Sequence, residues 1–249
     1  MPEHYSRIFL LSHMRASTSL AGHILGSHPR INGYFEMHIS YDDPSALDKQ
    51  FEVLRQHETL KQNSHYLFDK LLHNDYRLDP GRLGLSDLKI LISLREPEPA
   101  IKSIADLFDK KETDEPYASP VEAANYYIER IKWLADFCRS VSLPYHYYDA
   151  ELFQSAPEWL LGKLTDWLDL DSPLSERYQL FSQTGKARMG DSSRLIHSGK
   201  IGKIRFDYPH IRIPEDVSSR AQEAYQICRS MIMANATYSV AMSAERVSH

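Results

Sequence analysis

The sequence predicts an α/β fold with a central, mostly parallel sheet flanked by helices on both faces. Short apolar runs typical of buried strands alternate with longer segments whose apolar residues recur every three or four positions, as on one face of a helix. Strands separated by helices favour parallel pairing, because a parallel connection usually crosses over through a helix. The chain of 249 residues is long enough for a substantial core, and we interpret residues 1–249 as a single domain.

The predicted elements alternate along the chain. Strands are expected at Ile8–Leu11, Tyr66–Phe68, Leu88–Leu94 and Pro144–Tyr148, with a short extended piece from Ile31 to Phe35. Helices are expected after Ser19, from about Leu47 to Asn63, from Pro97 to Phe108, from Pro120 to Val141, around Trp159–Leu168 and from Pro214 towards Ala236. A charged loop is expected from Lys110 to Ser119, and a less regular region from Asp171 to about Tyr208.

The polar turn after the first strand has the features of an anion site. Residues Ser12–Ser19 gather small and hydroxylated side chains around one cation, Arg15, directly before a helix. A strand, a tight turn and a helix start in this order place free backbone N–H groups and the positive end of the helix dipole around one point. The turn has no glycine and no lysine, unlike the Gly-x-x-x-x-Gly-Lys-Ser/Thr loop of ordinary ATP and GTP sites.

A second candidate anion site follows the third strand. Arg95 stands at the end of that strand, and Ser103 follows eight residues later, about two turns into the next helix. The forked guanidinium and the hydroxyl can converge on one phosphate. From these residues alone, pairing of Arg95 with Glu96 or Glu98 at the helix start remains an alternative.

Both segments resemble parts of one enzyme family. The hexapeptide Arg15-Ala16-Ser17-Thr18-Ser19-Leu20 resembles the 5′-phosphosulfate loop of sulfotransferases that use 3′-phosphoadenosine 5′-phosphosulfate (PAPS), commonly Pro-Arg/Lys-Ser-Gly-Thr-Ser/Thr-Leu. The segment Leu94–Ser103 resembles their 3′-phosphate segment, typically Val-Arg-Asp-Pro-Arg-Asp-Val-Ala-Val-Ser, with the same spacing from arginine to serine. Met14 and Ser17 depart from the pattern, where proline and glycine are usual. If the turn needs a positive φ at Ser17, the cost is of order 1 kcal/mol.

Further resemblances occur in the family's chain order. His28-Pro29 followed by Glu36 is similar to His-Pro-Asp-Ile-x-x-x-x-Glu of bacterial sulfotransferases, and Phe68-Asp69-Lys70 is similar to Gly-Asp-Lys-Thr-Pro. Tyr147–Leu152 is similar to Arg-Tyr-Glu-Asp-Leu, and Trp167–Asp171 to Phe-Leu-Gly-Leu-Asp. Ser198–Lys203 faintly resembles the loop that covers the cofactor. Together these resemblances imply a P-loop NTPase-like sulfotransferase fold.

The resemblance also implies an activity, namely transfer of a sulfuryl group from PAPS to a hydroxyl, or an amine, of a small organic acceptor. Such an in-line displacement needs positioning, donors for developing charge and a base for the acceptor proton. By resemblance Glu36 is the catalytic base, Arg15 contacts the 5′-phosphate and the leaving oxygen, and Lys70 is a second cation on the sulfuryl group. The implied cofactor contacts are Arg15, Ala16, Ser17, Thr18, Ser19, Arg95, Ser103, Tyr148, Lys200 and Lys203, with Arg188 or Arg194 as alternatives to the last two.

Several assignments stay open at this point. His13, His38 and His73 lie near the predicted site and their ordinary pKa suits a proton acceptor; we expect His13 and His38, with Glu36, to contact the acceptor. Tyr148 has the alternative of filling the sheet edge, and Lys70 that of a solvated lysine after an edge strand. A kinase with a degenerate phosphate loop and a non-catalytic nucleotide-binding module are the competing functions.

The amino-acid composition argues against several classes of binding partner. A net charge of −5 and a pI of about 6.2 argue against nucleic acid and against a long polyanionic acceptor, and favour a small-molecule acceptor. With no apolar run of about 20 residues and no signal-peptide core, we expect no membrane partner. Cys138 and Cys228 are interpreted as core thiols, which suits a cytoplasmic protein. No metal is expected, because no pair of ligands stands at zinc-like spacing beside a third.

Overall fold

A parallel β-sheet organises the computed structural model, which describes residues 5–85, 87–110, 116–186, 195–202 and 207–242. Its strands are β1 (Ser6–Leu11), β2 (Ile31–Asn32), β3 (Tyr66–Leu71), β4 (Leu88–Leu94), β5 (Tyr145–Asp149) and β6 (Tyr238–Val240). Within the described ranges these six strands lie in the order β2-β3-β1-β4-β5-β6, and every neighbouring pair is parallel. The predicted parallel α/β fold is confirmed.

Helices connect the strands. They are α1 (Thr18–Ser27), α2 (Ser45–His57), α3 (Pro80–Leu83), α4 (Pro97–Asp109), α5 (Pro120–Ser140), α6 (Leu152–Ser155), α7 (Pro157–Trp167) and α8 (Glu215–Asn235), with short 3-10 turns at Pro116–Ala118 and Ile196–Ser198. Helices α3, α4, α5 and α7 carry proline in the first turn. Proline is tolerated there because the first N–H groups of a helix have no partner within the helix.

The sheet is buried on both faces. Along β1, Phe9 and Leu11 point into one apolar cluster with residues of α4, α5 and α8, whereas Ile8 and Leu10 point into another with residues of α1 and α7. All six residues of β1 are buried, as is typical of the central strand of a parallel sheet. The polar turn that follows β1 therefore begins from a fully buried central strand.

Helix α1 lies directly against the backbone of the segment that follows β2. A Cβ atom at Gly22 would lie 2.3 Å from the carbonyl oxygen of Tyr34, and one at Gly26 would lie 2.6 Å from that of Gly33. Real Cβ atoms do not approach carbonyl oxygens so closely, so this packing requires glycine at both positions. We call this contact the glycine contact of α1.

Three elements differ from the sequence-based expectation. Strand β3 extends to Leu71, so Lys70 lies inside a strand rather than after it. Helix α2 ends at His57, not near Asn63, because the following segment turns back to the α1–β2 connection. There the Lys61 ammonium donates to the carbonyl oxygens of Gly26, His28 (2.9 Å) and Ile31 (2.5 Å). Strand β6, with three residues, was not predicted.

In the described part of the chain, no helix has both the length and the apolar character that a membrane span requires.

Candidate active site

The predicted site residues follow neighbouring strands at one edge of the sheet. The polar turn follows β1, Lys70 lies near the end of β3, and Arg95 directly follows β4. Because β3, β1 and β4 are adjacent and parallel, their carboxyl ends meet at the same edge, where parallel α/β sheets bind ligands.

The turn after β1 contains two residues in the left-handed region. Arg15 has φ 64° and Ser17 has φ 57°. The turn thus does need a positive φ at Ser17, and the strain expected for a residue other than glycine applies. Helix α1 begins at Thr18, and the side chain of its N-cap residue Ser17 forms no capping hydrogen bond. The positive end of the α1 dipole and its first-turn N–H groups thus lie at this turn, an arrangement that suits an anion.

Arg95 points towards this turn. Its Nη1 donates a hydrogen bond to the backbone oxygen of Arg15 at 2.8 Å, and Nε of Arg15 donates to Oγ of Ser103 at 2.9 Å. Burial, together with the nearby Arg15 charge, lowers the pKa of Arg95. Glu98 instead pairs with Lys102 at 2.8 Å, and no ion pair between Arg95 and Glu96 or Glu98 occurs among the described residues. The two predicted anion sites are thus contiguous.

Tyr208 extends this cluster and was not expected from the sequence. Its hydroxyl lies 3.1 Å from Oγ of Ser103, and its ring is buried. The residue belongs to a region without a periodic pattern, so nothing in the sequence indicated its contact. The guanidinium of Arg15 and the hydroxyl groups of Ser103 and Tyr208 are therefore linked by hydrogen bonds, and the guanidinium of Arg95 donates to the Arg15 backbone. This donor set suits a phosphate.

His13 lies inside the wall of the turn, not at its surface. Its ring is fully buried, Nδ1 donates to the Met14 oxygen at 2.9 Å, and Nε2 accepts the backbone N–H of Arg95 at 3.0 Å. Burial lowers the pKa of His13 to about 3, so the ring is neutral. Backbone groups use both ring nitrogens and the ring is inaccessible, which disfavours the predicted acceptor contact at His13.

Lys70 reaches the turn from β3. Only 1% of the residue is exposed, and its Nζ donates to Oγ of Ser19 at 3.1 Å. Strand β3 lies between β2 and β1, so the alternative of a solvated lysine beside an edge strand is wrong. The ammonium of Lys70 therefore lies beside the first turn of α1.

Glu36 lies in the irregular segment after β2 and is 7% exposed. Its Oε1 is buried and has no hydrogen-bond partner among the described residues. Its Oε2 lies 4.0 Å from Nε2 of His38, whose side chain is 37% exposed. His38 has φ 55°, an uncommon backbone conformation for a residue other than glycine, and its ring contacts Tyr76 edge to face. Of the two expected acceptor contacts, His38 is thus the one beside Glu36.

The remaining predicted cofactor contacts are less closely connected to this cluster. Tyr148 is buried in the apolar cluster beneath α7, edge to face with Phe153, which favours the alternative that it fills the sheet. Lys200 is exposed and forms an isolated backbone bridge with Arg177. Lys203 lies outside the described residues, as do Arg188 and Arg194.

Arg130, on α5, holds the strand ends together beneath the site. Its Nε donates to the Ser12 oxygen at 2.8 Å and its Nη2 to the Leu71 oxygen at 2.6 Å, so it joins the ends of β1 and β3. Its Nη1 donates to Oδ1 of Asn74 at 3.0 Å and to the His73 oxygen at 3.3 Å. Burial lowers the pKa of Arg130 to about 10, although nearby groups that include Glu36 act to raise it. The guanidinium stays charged at neutral pH.

No side-chain cluster of the described residues offers the three His, Cys, Asp or Glu groups that a metal site would need. The arrangement instead combines backbone N–H groups, cations and hydroxyls on one side with a buried carboxylate on the other. Such a site can bind a phosphorylated ligand and accept a proton from a second molecule.

Solved structures of sulfotransferases are similar to this chain. No protein-family model matches the sequence, and no curated protein matches it either. The sulfotransferase domain of the curacin biosynthetic pathway superposes with a TM-score of 0.59 at 17% identity, covering 91% of this chain and 98% of that one. The sulfotransferase domain of the Synechococcus PCC 7002 olefin synthase gives a TM-score of 0.61 at 16% identity, covering 90% and 97%.

Mouse sulfotransferase SULT7A1, solved in complex with PAP, gives a TM-score of 0.51 at 14% identity, covering 94% of this chain and 86% of that one. At these identities, the similarity concerns the arrangement of helices and strands. The chain therefore has the fold of the sulfotransferases.

Proposed function

We propose that this protein is a PAPS-dependent sulfotransferase that transfers a sulfuryl group to a hydroxyl, or an amine, of a small organic acceptor. The observation that carries the proposal is the convergence of Arg95, Ser103 and Arg15 beside the N-terminus of α1. A ligand with phosphate groups at two positions of one nucleotide matches two contiguous anion sites. The sulfotransferase fold supports the same conclusion.

The donor set fits a 3′,5′-bisphosphorylated nucleoside. The first-turn N–H groups of α1 and the ammonium of Lys70 would bind the 5′ side, where the sulfuryl group is carried. Arg95, Ser103 and Tyr208 would bind the 3′-phosphate. Arg15 contributes backbone to the first site, and its side chain reaches the second through Ser103. PAP, the adenosine 3′,5′-bisphosphate bound in the mouse structure, is the product that such a reaction leaves.

Glu36 is the proposed base. An oxygen such as its buried Oε1, without a hydrogen-bond donor, costs about 1–3 kcal/mol, and the O–H or N–H group of an acceptor would supply that donor. Glu36 would take the acceptor proton while Lys70 stabilises the negative charge that develops on the sulfuryl oxygens. His38, beside Glu36 and partly exposed, would contact the acceptor. The net charge of −5 favours a small acceptor over a polyanion.

Two measurements test this function. Calorimetric titration should show binding of adenosine 3′,5′-bisphosphate and much weaker binding of adenosine 5′-monophosphate. An acceptor screen with labelled PAPS should then show transfer, and Glu36→Gln should reduce turnover about 10²–10⁴-fold without changing nucleotide affinity. Glu58→Gln, at a partly buried carboxylate elsewhere, is the matched control and should change neither quantity.

Three results would contradict the proposal. Absence of bisphosphate binding would remove its basis. Magnesium-dependent turnover of ATP would instead indicate a kinase with a degenerate loop. Bisphosphate binding without transfer to any acceptor, in the wild type and in Glu36→Gln alike, would indicate a nucleotide-binding module.

A further inference from the structure

Asp69 is a buried carboxylate that the proposed reaction does not use directly. It lies on β3 and is 1% exposed. Its Oδ1 accepts the backbone N–H of Met37 at 3.0 Å and that of Lys70 at 2.7 Å, and its Oδ2 accepts the hydroxyl of Tyr41 at 2.6 Å. Three donors therefore converge on one side chain at the edge of the candidate site.

These donors belong to the backbone on either side of the reacting groups. The N–H of Met37 is part of the peptide that follows Glu36, and the N–H of Lys70 belongs to the proposed second cation. We propose that Asp69 is a positioning residue, which fixes the separation of Glu36 from Lys70 by binding both backbones through one carboxylate oxygen. The proposal rests on the function proposed above for those two residues.

Among the described residues, the segment that carries Glu36 has few backbone hydrogen bonds besides those to Asp69. Strand β2 ends at Asn32, so the hydrogen-bond ladder of the sheet ends there. The next backbone pairing is at Tyr41, whose N–H donates to the Arg77 oxygen at 2.7 Å. His38, between these points, has φ 55°, a conformation that persists only where its surroundings enforce it. Through Met37 and Tyr41, Asp69 holds this segment on both sides of His38.

The charge of Asp69 gives this positioning a pH dependence. Burial raises the pKa of Asp69 to about 7; the Glu36 charge acts in the same direction, and the hydrogen bonds from Tyr41, Met37 and Lys70 oppose it. The facing titratable groups are thus Tyr41 and Glu36 from the segment after β2, with Arg7 of β1 acting on Tyr41, whereas Lys70 of β3 contributes only its backbone N–H. An ionised carboxylate accepts all three bonds, whereas a protonated one must donate its own proton. Positioning is therefore strongest above pH 7 and weakens below it.

The first test is independent of the reaction. In the ligand-free full chain, the backbone amide resonances of Met37 and Lys70 should titrate with a common midpoint near pH 7 in two-dimensional ¹H–¹⁵N spectra. Asp69→Asn should abolish this titration and shift both resonances. Tyr41→Phe should preserve the common titration and move its midpoint upwards, because a hydrogen bond that lowers the pKa of Asp69 is lost. Amides that neither titrate together nor respond to Asp69→Asn would overturn the proposal.

The second test uses turnover. Asp69→Ala should lower kcat about 10–100-fold while leaving the affinity for adenosine 3′,5′-bisphosphate within about twofold of the wild type. Asp69→Asn keeps an acceptor oxygen, so it should recover much of kcat and flatten its decline below pH 7. It also serves as the variant to measure if Asp69→Ala does not fold. An equal loss of kcat and nucleotide affinity in Asp69→Asn would indicate a general structural role and overturn the proposal.

The two proposals fail in different ways. A common titration of the two amides in a protein that transfers no sulfuryl group would support the role of Asp69 and refute the proposed activity. Transfer that depends on Glu36 but is unaffected by Asp69→Asn at every pH would do the reverse.

Discussion

Replacing Arg130 with methionine would remove the hydrogen bonds through which this side chain joins the carboxyl ends of β1 and β3. The backbone oxygens of Ser12 and Leu71 would lose donors at 2.8 and 2.6 Å, and the contacts to His73 and Asn74 would also be lost. The Leu71 and His73 oxygens each keep a backbone N–H donor, at 3.2 and 3.3 Å. The loss therefore falls mainly on the oxygens of Ser12 and Asn74, and each buried acceptor left without a donor costs about 1–3 kcal/mol. Removing the buried guanidinium charge recovers part of this cost. We therefore expect a net loss of about 3 kcal/mol in the free energy of unfolding.

Thermal and urea unfolding would measure this loss. For a chain of this size, about 3 kcal/mol corresponds to a decrease in Tm of roughly 6–12 °C. Arg130→Lys should fall between the wild type and methionine, because one ammonium reaches fewer oxygens than the guanidinium fork. Lys132→Met, at an exposed position of the same helix, is the control and should stay within about 0.5 kcal/mol of the wild type. Equal Tm values for Arg130→Met and Lys132→Met would refute the reasoning, since the bonds to Ser12 and Leu71 would then contribute nothing net.

Three further predictions concern the turn after β1 and its neighbours. Burial lowers the pKa of His13 to about 3 in the folded protein, whereas the unfolded chain has the ordinary value of about 6.5. Below pH 6.5 the unfolded chain therefore binds a proton that the folded protein does not, and the free energy of unfolding should fall. The slope from this residue should approach 1.4 kcal/mol per pH unit and should be absent from acid-denaturation curves of His13→Gln. Ser17→Gly should raise the free energy of unfolding by up to about 1 kcal/mol in denaturant titrations, whereas Ser17→Ala, with the same φ of 57°, should not. Arg95→Ala should reduce calorimetric preference for adenosine 3′,5′-bisphosphate over its 3′-hydroxyl counterpart about 10–100-fold; equal losses for both ligands would contradict a 3′-phosphate contact.

The sequence was sufficient for the parts of the fold that local patterns encode. The buried run of β1 and the long apolar stripe of α5 were both predicted, because strand and helix periodicity depend only on neighbouring residues. Strand β6 was missed for the same reason. Its three residues Tyr238–Val240 are too short for a pattern, and they form a strand because β5 offers an edge far away in the chain.

In the candidate site too, local features could be predicted from the sequence and long-range contacts could not. The spacing of Arg95 and Ser103 was readable, because both lie on one strand-to-helix connection. The contacts made by Arg130 and Tyr208 were not, since each reaches across many residues to atoms that no local pattern indicates. The sequence indicated Asp69 only as part of a motif. The role proposed for it depends on the hydrogen bonds from Met37 and Tyr41, which only the structure shows.

The glycine contact of α1 has a consequence for how this protein can diversify. At Gly22 and Gly26 the helix touches the main chain of Gly33 and Tyr34 with no side chain between them, and Glu36 follows only two residues after Tyr34. The position of Gly33 and Tyr34 relative to the turn after β1 is thus set by main-chain atoms, which point substitutions do not resize. On the proposed function, exchanges at exposed positions such as His38 would alter which acceptors are admitted while this spacing stays constant.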